Sequence, residues 1–114
     1  MFSHVTVGCD DLEAAARFYD AVLTRLGLVR REVFPDGGPP ALCWARQRSP
    51  LPRFYVYRPF DGRAATAGNG AMTAFLASAP AEVDAAHAAG LASGGTDEGP
   101  PGERPRYGAG YYAA

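Results

Sequence analysis

A switch of hydrophobic period occurs twice along this chain, and it limits the available folds more than any other feature. From Phe2 to Val7 the side chains alternate, with Val5 and Val7 on one face and His4 and Thr6 on the other, as a strand requires. The period then lengthens to that of a helix. Leu12, Ala15, Ala16, Tyr19, Val22, Leu23 and Leu26 recur along one stripe, and Gly27 supplies a left-handed stop. Asp10 is expected to cap the free amides at the helix start, with Glu13 three residues on completing a capping box. The succession returns as a strand over Ala71–Ala77 and a helix over Pro80–Ser93 that turns Val83, Ala86, Ala89 and Leu91 inward and ends at Gly94-Gly95. Laying Ser3-His4-Val5-Thr6-Val7 over Ala71-Met72-Thr73-Ala74-Phe75 puts Met72 in the place of His4.

Between the two occurrences lie three further strands, Leu28–Phe34, Ala41–Arg46 and Arg53–Arg58. They are separated by the turn formers Asp36-Gly37-Gly38-Pro39-Pro40 and Ser49-Pro50-Leu51-Pro52. The first part therefore reads βαβββ. Pro59 to Gly70 is rich in small and turn-forming residues and reads as a linker. Thr96–Pro105 reads mostly as loop, and Tyr107–Ala114 as the beginning of a strand. The expected organisation is one α+β domain over 1–114, with module one at 1–58, the linker at 59–70 and module two at 71–114.

Composition narrows the partners. The formal charge is −1, lysine is absent and the eleven arginines are scattered, so no nucleic-acid footprint is present. No apolar run approaches the roughly 20 residues that span a bilayer. Cys9 and Cys43 form no C-x-x-C pair and no signal segment opens the chain, which fits a reduced cytoplasmic protein. A small molecule or a second copy is the partner that these properties leave.

The two-module pattern carries Phe18-Tyr19 in the first helix, Arg58-Pro59-Phe60-Asp61-Gly62-Arg63 in the linker, and His87-Ala88-Ala89 before Gly94-Gly95. It resembles the glyoxalase, bleomycin-resistance and dioxygenase proteins, the vicinal oxygen chelate superfamily. The resemblance implies paired βαβββ modules curled into an open eight-stranded cup around a small-molecule site, usually within a homodimer. In many members it also implies a divalent metal, held by a residue of the first strand, one late in the first module, a histidine on the first strand of the second module and a glutamate on the last strand. Such a metal chelates neighbouring substrate oxygens, stabilising an enediolate or activating an oxidant.

Residue by residue, the match is partial. His4 occupies the first ligand position, Met72 stands where the second-module histidine would be, and Phe54-Tyr55-Val56-Tyr57 offers no ligand. A thioether is a poor donor to the ions this chemistry uses. The pattern of the family runs on past Tyr111-Tyr112-Ala113-Ala114 into a last strand with its glutamate, so by this resemblance the last strand is missing. His4 is the one metal-ligand candidate here, and a polar residue lining the cup is its alternative.

Trp44, Tyr55, Tyr57 and Met72 are the expected ligand contacts, since aromatic walls with a few polar tips are typical of small-ligand pockets; core packing explains the aromatics equally well. Arg46 or Arg58, turned inward, would hold an anion. His87 reads as a surface residue, Cys43 as buried and inert, and Gly68-Asn69-Gly70 as a turn and not a phosphate loop. The leading expectation is a protein that binds a small organic ligand, with no cofactor assigned and a divalent metal as the open alternative. The competing ones are a metal-dependent lyase of the glyoxalase I kind or a dioxygenase, and a drug-sequestering resistance protein.

Overall fold

The computed structural model describes residues 1–114. In chain order it contains β1 (His4–Gly8), α1 (Leu12–Thr24), β2 (Leu28–Arg31), β3 (Ala41–Arg46), β4 (Arg53–Tyr57), α2 (Pro80–Ala92), β5 (Gly102–Glu103), a 3₁₀ turn (Pro105–Tyr107) and β6 (Tyr112–Ala113). The first four strands form one sheet in the order β1-β4-β3-β2, with β1 parallel to β4 and the other pairs antiparallel. This is the βαβββ unit read from the sequence, and α1 is its crossover, since parallel strands need a long connection.

Register decides what each face carries. Val7 pairs with Val56, Leu42 with Val56 and Trp44 with Phe54, so these side chains share the face against the helices. There Leu23, Leu26, Trp44, Phe54, Val56, Ala15 and Ala86 form the core. Burying a leucine or valine fully stabilises the fold by about 1.5–3 kcal/mol. The aromatic rings of Trp44 and Phe54 both pack on Tyr19, with centroids 5.5 and 5.0 Å from it. Trp44 Nε1 donates to Asp20 at 2.9 Å and Arg30 closes on the same carboxylate, which fastens α1 to β2 and β3.

Helix α2 has little apolar periodicity and packs on α1 by closeness. A Cβ at Gly90 would lie 3.5 Å from Val22 and 3.6 Å from Phe18. Just beyond α2, the Gly95 amide donates to the Gly90 carbonyl at 2.8 Å, and a Cβ at Gly95 would fall within 2.8 Å of that same oxygen. Gly94, at φ +96, makes the turn. The Tyr112 hydroxyl donates to Asp84 at 2.7 Å and holds β6 to α2.

Several expectations change. The cap of α1 is Asp11, whose carboxylate accepts the Ala14 amide at 2.9 Å, because the first helical residue is Leu12 and the capping reach is three residues. Asp10 accepts the Ala65 amide instead, also at 2.9 Å. Strand β2 stops at Arg31 and not at Phe34. Pro35, Pro39 and Pro40 offer no amide hydrogen to extend the ladder, and Phe34 is exposed. Part of the expected loop 96–105 pairs as β5 with β6. The strand expected over Ala71–Ala77 is extended but belongs to no ladder, and the six strands of this α+β fold stand in a four-stranded and a two-stranded sheet.

Candidate functional site

The sheet face opposite the helices carries His4 and Thr6 from β1 and Tyr55 and Tyr57 from β4, with Thr6 beside Tyr55 in the parallel register. Over this face lies a cavity of about 790 Å³. That volume suits a small organic molecule, for which sites span roughly 300–1,000 Å³. The Tyr55 and Tyr57 rings are tilted against each other with centroids 5.6 Å apart, and the His4 ring stands edge-on to Tyr55 at 5.7 Å and 89°.

Two loops wall the cavity. On one side is the β2–β3 turn with Asp36, Gly38 and Pro39, braced by the Gly38 amide donating to Asp36 at 2.9 Å. On the other is the segment Arg58–Thr66, read from sequence as a plain linker. Its Ala65 amide is anchored on Asp10. The segment passes close to Gly8, where a Cβ would make ordinary van der Waals contact with Ala65 at 3.6 Å and Pro59 at 3.7 Å. The Arg63 amide donates to Asp61 at 3.0 Å across the bend at Gly62, whose φ of +73 suits glycine. Phe60 and Arg58 come to the cavity from this wall, and Arg58 forms no salt bridge.

The Tyr57 hydroxyl and the Cys43 thiol of this face are kept protonated. Burial raises the Tyr57 pKa, and the nearby negative charge of Asp36 adds to that, so Tyr57 offers a hydrogen-bond donor at neutral pH. The Tyr55 hydroxyl accepts from Arg53 Nη1 at 3.1 Å, leaving its own hydrogen to give. Cys43 pairs with Tyr55 across the strands and is buried under it. Burial raises its pKa more than the Tyr55 hydrogen bond and the Arg53 and Arg31 charges lower it, so it is a thiol and not a thiolate nucleophile.

Of the expected contacts, the structure brings Tyr55, Tyr57 and His4 together at the cavity and places two elsewhere. Trp44 is on the helix-facing side with no exposed surface, because it pairs with Phe54, one residue out of phase with Tyr55. Met72 lies outside the cavity with its side chain 88% exposed, on the segment that joins no sheet. Arg46 also lies outside the cavity, whereas Arg58 lines it. His87 meets Asp97 at 3.2 Å beside the loop after α2. Thr6, Asp36, Phe60, Asp61 and Arg63 were not named as site residues from sequence; the Arg58–Arg63 motif and its turn formers directly after β4 were the available sign of the second wall.

The residues present do not fit a divalent metal. No three His, Cys, Asp or Glu side chains of this chain converge, Met72 points away, and His4 Nδ1 is engaged with Ser3 Oγ at 2.9 Å. A catalytic zinc takes three protein ligands.

No family model matches the chain, and no curated protein matches it either. Solved structures do. A glyoxalase/bleomycin resistance protein from Albidiferax ferrireducens T118 superposes with a TM-score of 0.77 at 45% identity, over 91% of this chain and 81% of that one. A glyoxalase/bleomycin resistance protein/dioxygenase from Nocardioides matches in fold, with a TM-score of 0.54 at 22% identity over 92% of this chain and 69% of that one. The identity and coverage of the first, joined to the shared βαβββ architecture, show that this chain belongs to the glyoxalase/bleomycin resistance protein/dioxygenase superfamily.

Proposed function

We propose that this chain binds a small organic ligand carrying a planar ring, held over Tyr55 and Tyr57 on the open face of the sheet. The single observation that carries this reading is the cavity of about 790 Å³ floored by the Tyr55–Tyr57–His4 ring cluster. Ring faces attract flat apolar ligands by stacking, and the two hydroxyls and the His4 ring fix orientation by hydrogen bonds. Arg58, at the rim without a carboxylate partner, supports an anionic substituent on the ligand. Two free thiols, Cys9 and Cys43, support a reducing compartment, and the cytoplasm is the one we propose.

The metal-dependent lyase and dioxygenase readings find one imidazole and no converging donors, so no step is derived through a metal. Drug sequestration draws no support from a cavity whose Asp36 and Asp61 are matched by Arg58 and Arg63.

The reading is tested by fluorescence titration with 1-anilinonaphthalene-8-sulfonate, a planar aromatic anion. Saturable binding at one per chain is expected, weakened about tenfold by Tyr57→Ala, in line with roughly 1.4 kcal/mol for a lost stacking surface and hydroxyl. Met72→Ala should leave it unchanged. Binding that is absent, or that falls with Met72→Ala and not with Tyr57→Ala, sinks the proposal.

A further inference from the structure

We propose that the open face of the sheet holds a second site, a basin of three arginines that binds a phosphoryl group, carried by a small monoester or present as inorganic phosphate. The basin stands apart from the ring cluster and does not depend on the ligand reading given above. A cavity of about 420 Å³ lies at the β3–β4 connection, lined by Arg31, Arg48, Arg53 and Glu32 over the buried Ala45, and it shares no residue with the larger cavity. The three arginines are far apart in sequence, and the strand pairing gathers them. Arg31 pairs with Cys43 and Cys43 with Tyr55, while Arg53 precedes Tyr55 by two residues on β4, so both arginines emerge on the side of the tyrosines. Arg48 comes from the connection itself.

Two of the guanidiniums are already held in place. Arg31 Nη2 donates to the carbonyls of Arg46 and Gln47 at 2.7 and 2.6 Å, and Arg53 donates from Nε to the Pro50 carbonyl at 3.0 Å and from Nη1 to the Tyr55 hydroxyl at 3.1 Å. A guanidinium carries five N–H donors, so Arg31 keeps Nε and Nη1 and Arg53 keeps Nη2 for a ligand. These partners are neutral oxygens, which fix the groups and leave their charge unmatched. None of the three arginines pairs with a carboxylate, and Glu32 is the one acid on the wall. The surplus of positive charge suits a phosphate monoester, which carries roughly −1.5 to −2 near neutral pH and presents three strong acceptor oxygens. A carboxylate, with one charge and two oxygens, would leave a guanidinium without a partner. Arginine is the side chain suited to phosphate, since its planar fork gives paired hydrogen bonds. The volume also leaves room for the organic part of a small monoester.

Calorimetric titration of the full chain with inorganic phosphate and with glycerol 3-phosphate should show saturable binding at one per chain, and the tighter of the two names the source of the phosphoryl group. Acetate should bind more weakly than either. Arg48 is exposed and lies outside the bonds that hold Arg31 and Arg53, so Arg48→Gln should weaken phosphate binding about tenfold with an unchanged urea midpoint. Arg17→Gln, at an exposed arginine of α1 away from the basin, should leave binding as it is. Tyr57→Ala should spare phosphate binding and Arg48→Gln should spare the dye titration, so each of the two readings can fail alone. No saturable binding of either phosphate probe, acetate held as tightly as phosphate, or an equal loss with Arg17→Gln and Arg48→Gln, which means diffuse attraction to positive charge, overturns the proposal.

Discussion

The two segments that open with the same alternation end differently. His4–Gly8 lies in a ladder with β4 along its whole length, whereas Ala71–Ala77 keeps the in-and-out order of a strand with no partner on either edge. Both are extended and both send a residue into the core, Val7 and Phe75 respectively. Side-chain pattern therefore sets which residues face inward, while the ladder depends on a neighbour that the pattern does not specify. The first region stands on tertiary packing plus hydrogen bonding, and the second on packing alone.

The largest effect separating them is in the core beneath each. Trp44→Ala removes a fully buried side chain and frees Asp20 of one of its donors, and it should cost about 3–5 kcal/mol, read as a lowered urea midpoint. Phe75→Ala removes a partly buried ring at the edge of the same cluster and should cost less than half as much. Equal losses would mean that the unladdered segment is as deeply integrated as the sheet, and the contrast would fail.

How much of this was legible beforehand depended on what period carries. Alternation correctly separated His4 and Thr6 from Val5 and Val7, and it put Tyr55 and Tyr57 on one face. It could not say that Trp44 shares a face with Phe54 and not with Tyr55, because that follows from the register between β3 and β4, which the irregular connection over residues 47–52 sets. The cavity walls at Asp36–Pro39 and Arg58–Thr66 have no period, so the sequence marked them as turns and linker, with Arg58 alone named as an inward candidate, and did not place them beside Tyr55 and Tyr57. Met72 was placed by analogy with His4, and the analogy holds for position along the strand but fails for surroundings. Asp10 and Asp11 are both plausible caps by composition, and only the start of the helix at Leu12 separates them.

The helices extend the comparison at a smaller scale. Helix α1 begins at the side-chain cap Asp11, while α2 begins at Ala79, which has extended backbone but no side-chain oxygen. Asp11→Ala should cost about 0.5–2 kcal/mol. Ala79→Ser should return about 0.5–1 kcal/mol, because Glu82 stands three residues on and a capping box becomes complete. Both are read from the urea midpoint. A neutral Ala79→Ser would show that the existing bond from the Ser78 amide to Glu82 already satisfies that end.

The finest contrast is between two carboxylates held below the ordinary aspartate value of 3.8. At Asp20, burial pushes the pKa up, but the hydrogen bonds from Arg30 and Trp44 together with the Arg30 charge outweigh it and the net shift is downward. At Asp97 the Gly99 amide is the main cause and His87 the second. In both, the folded value lies below the unfolded one, so each contribution is complete above about pH 4, near the unfolded carboxylate value, and is lost as pH falls through the folded pKa. Asp20 ties α1 to the buried Trp44, whereas Asp97 is exposed and ties His87 to a loop. Asp20→Asn should therefore flatten the acid side of the stability curve measured by urea unfolding from pH 5 to pH 2.5, and Asp97→Asn should flatten it less. The reverse order would place the acid-sensitive hold at the contact between α2 and its following loop and not at the contact of α1 with the sheet.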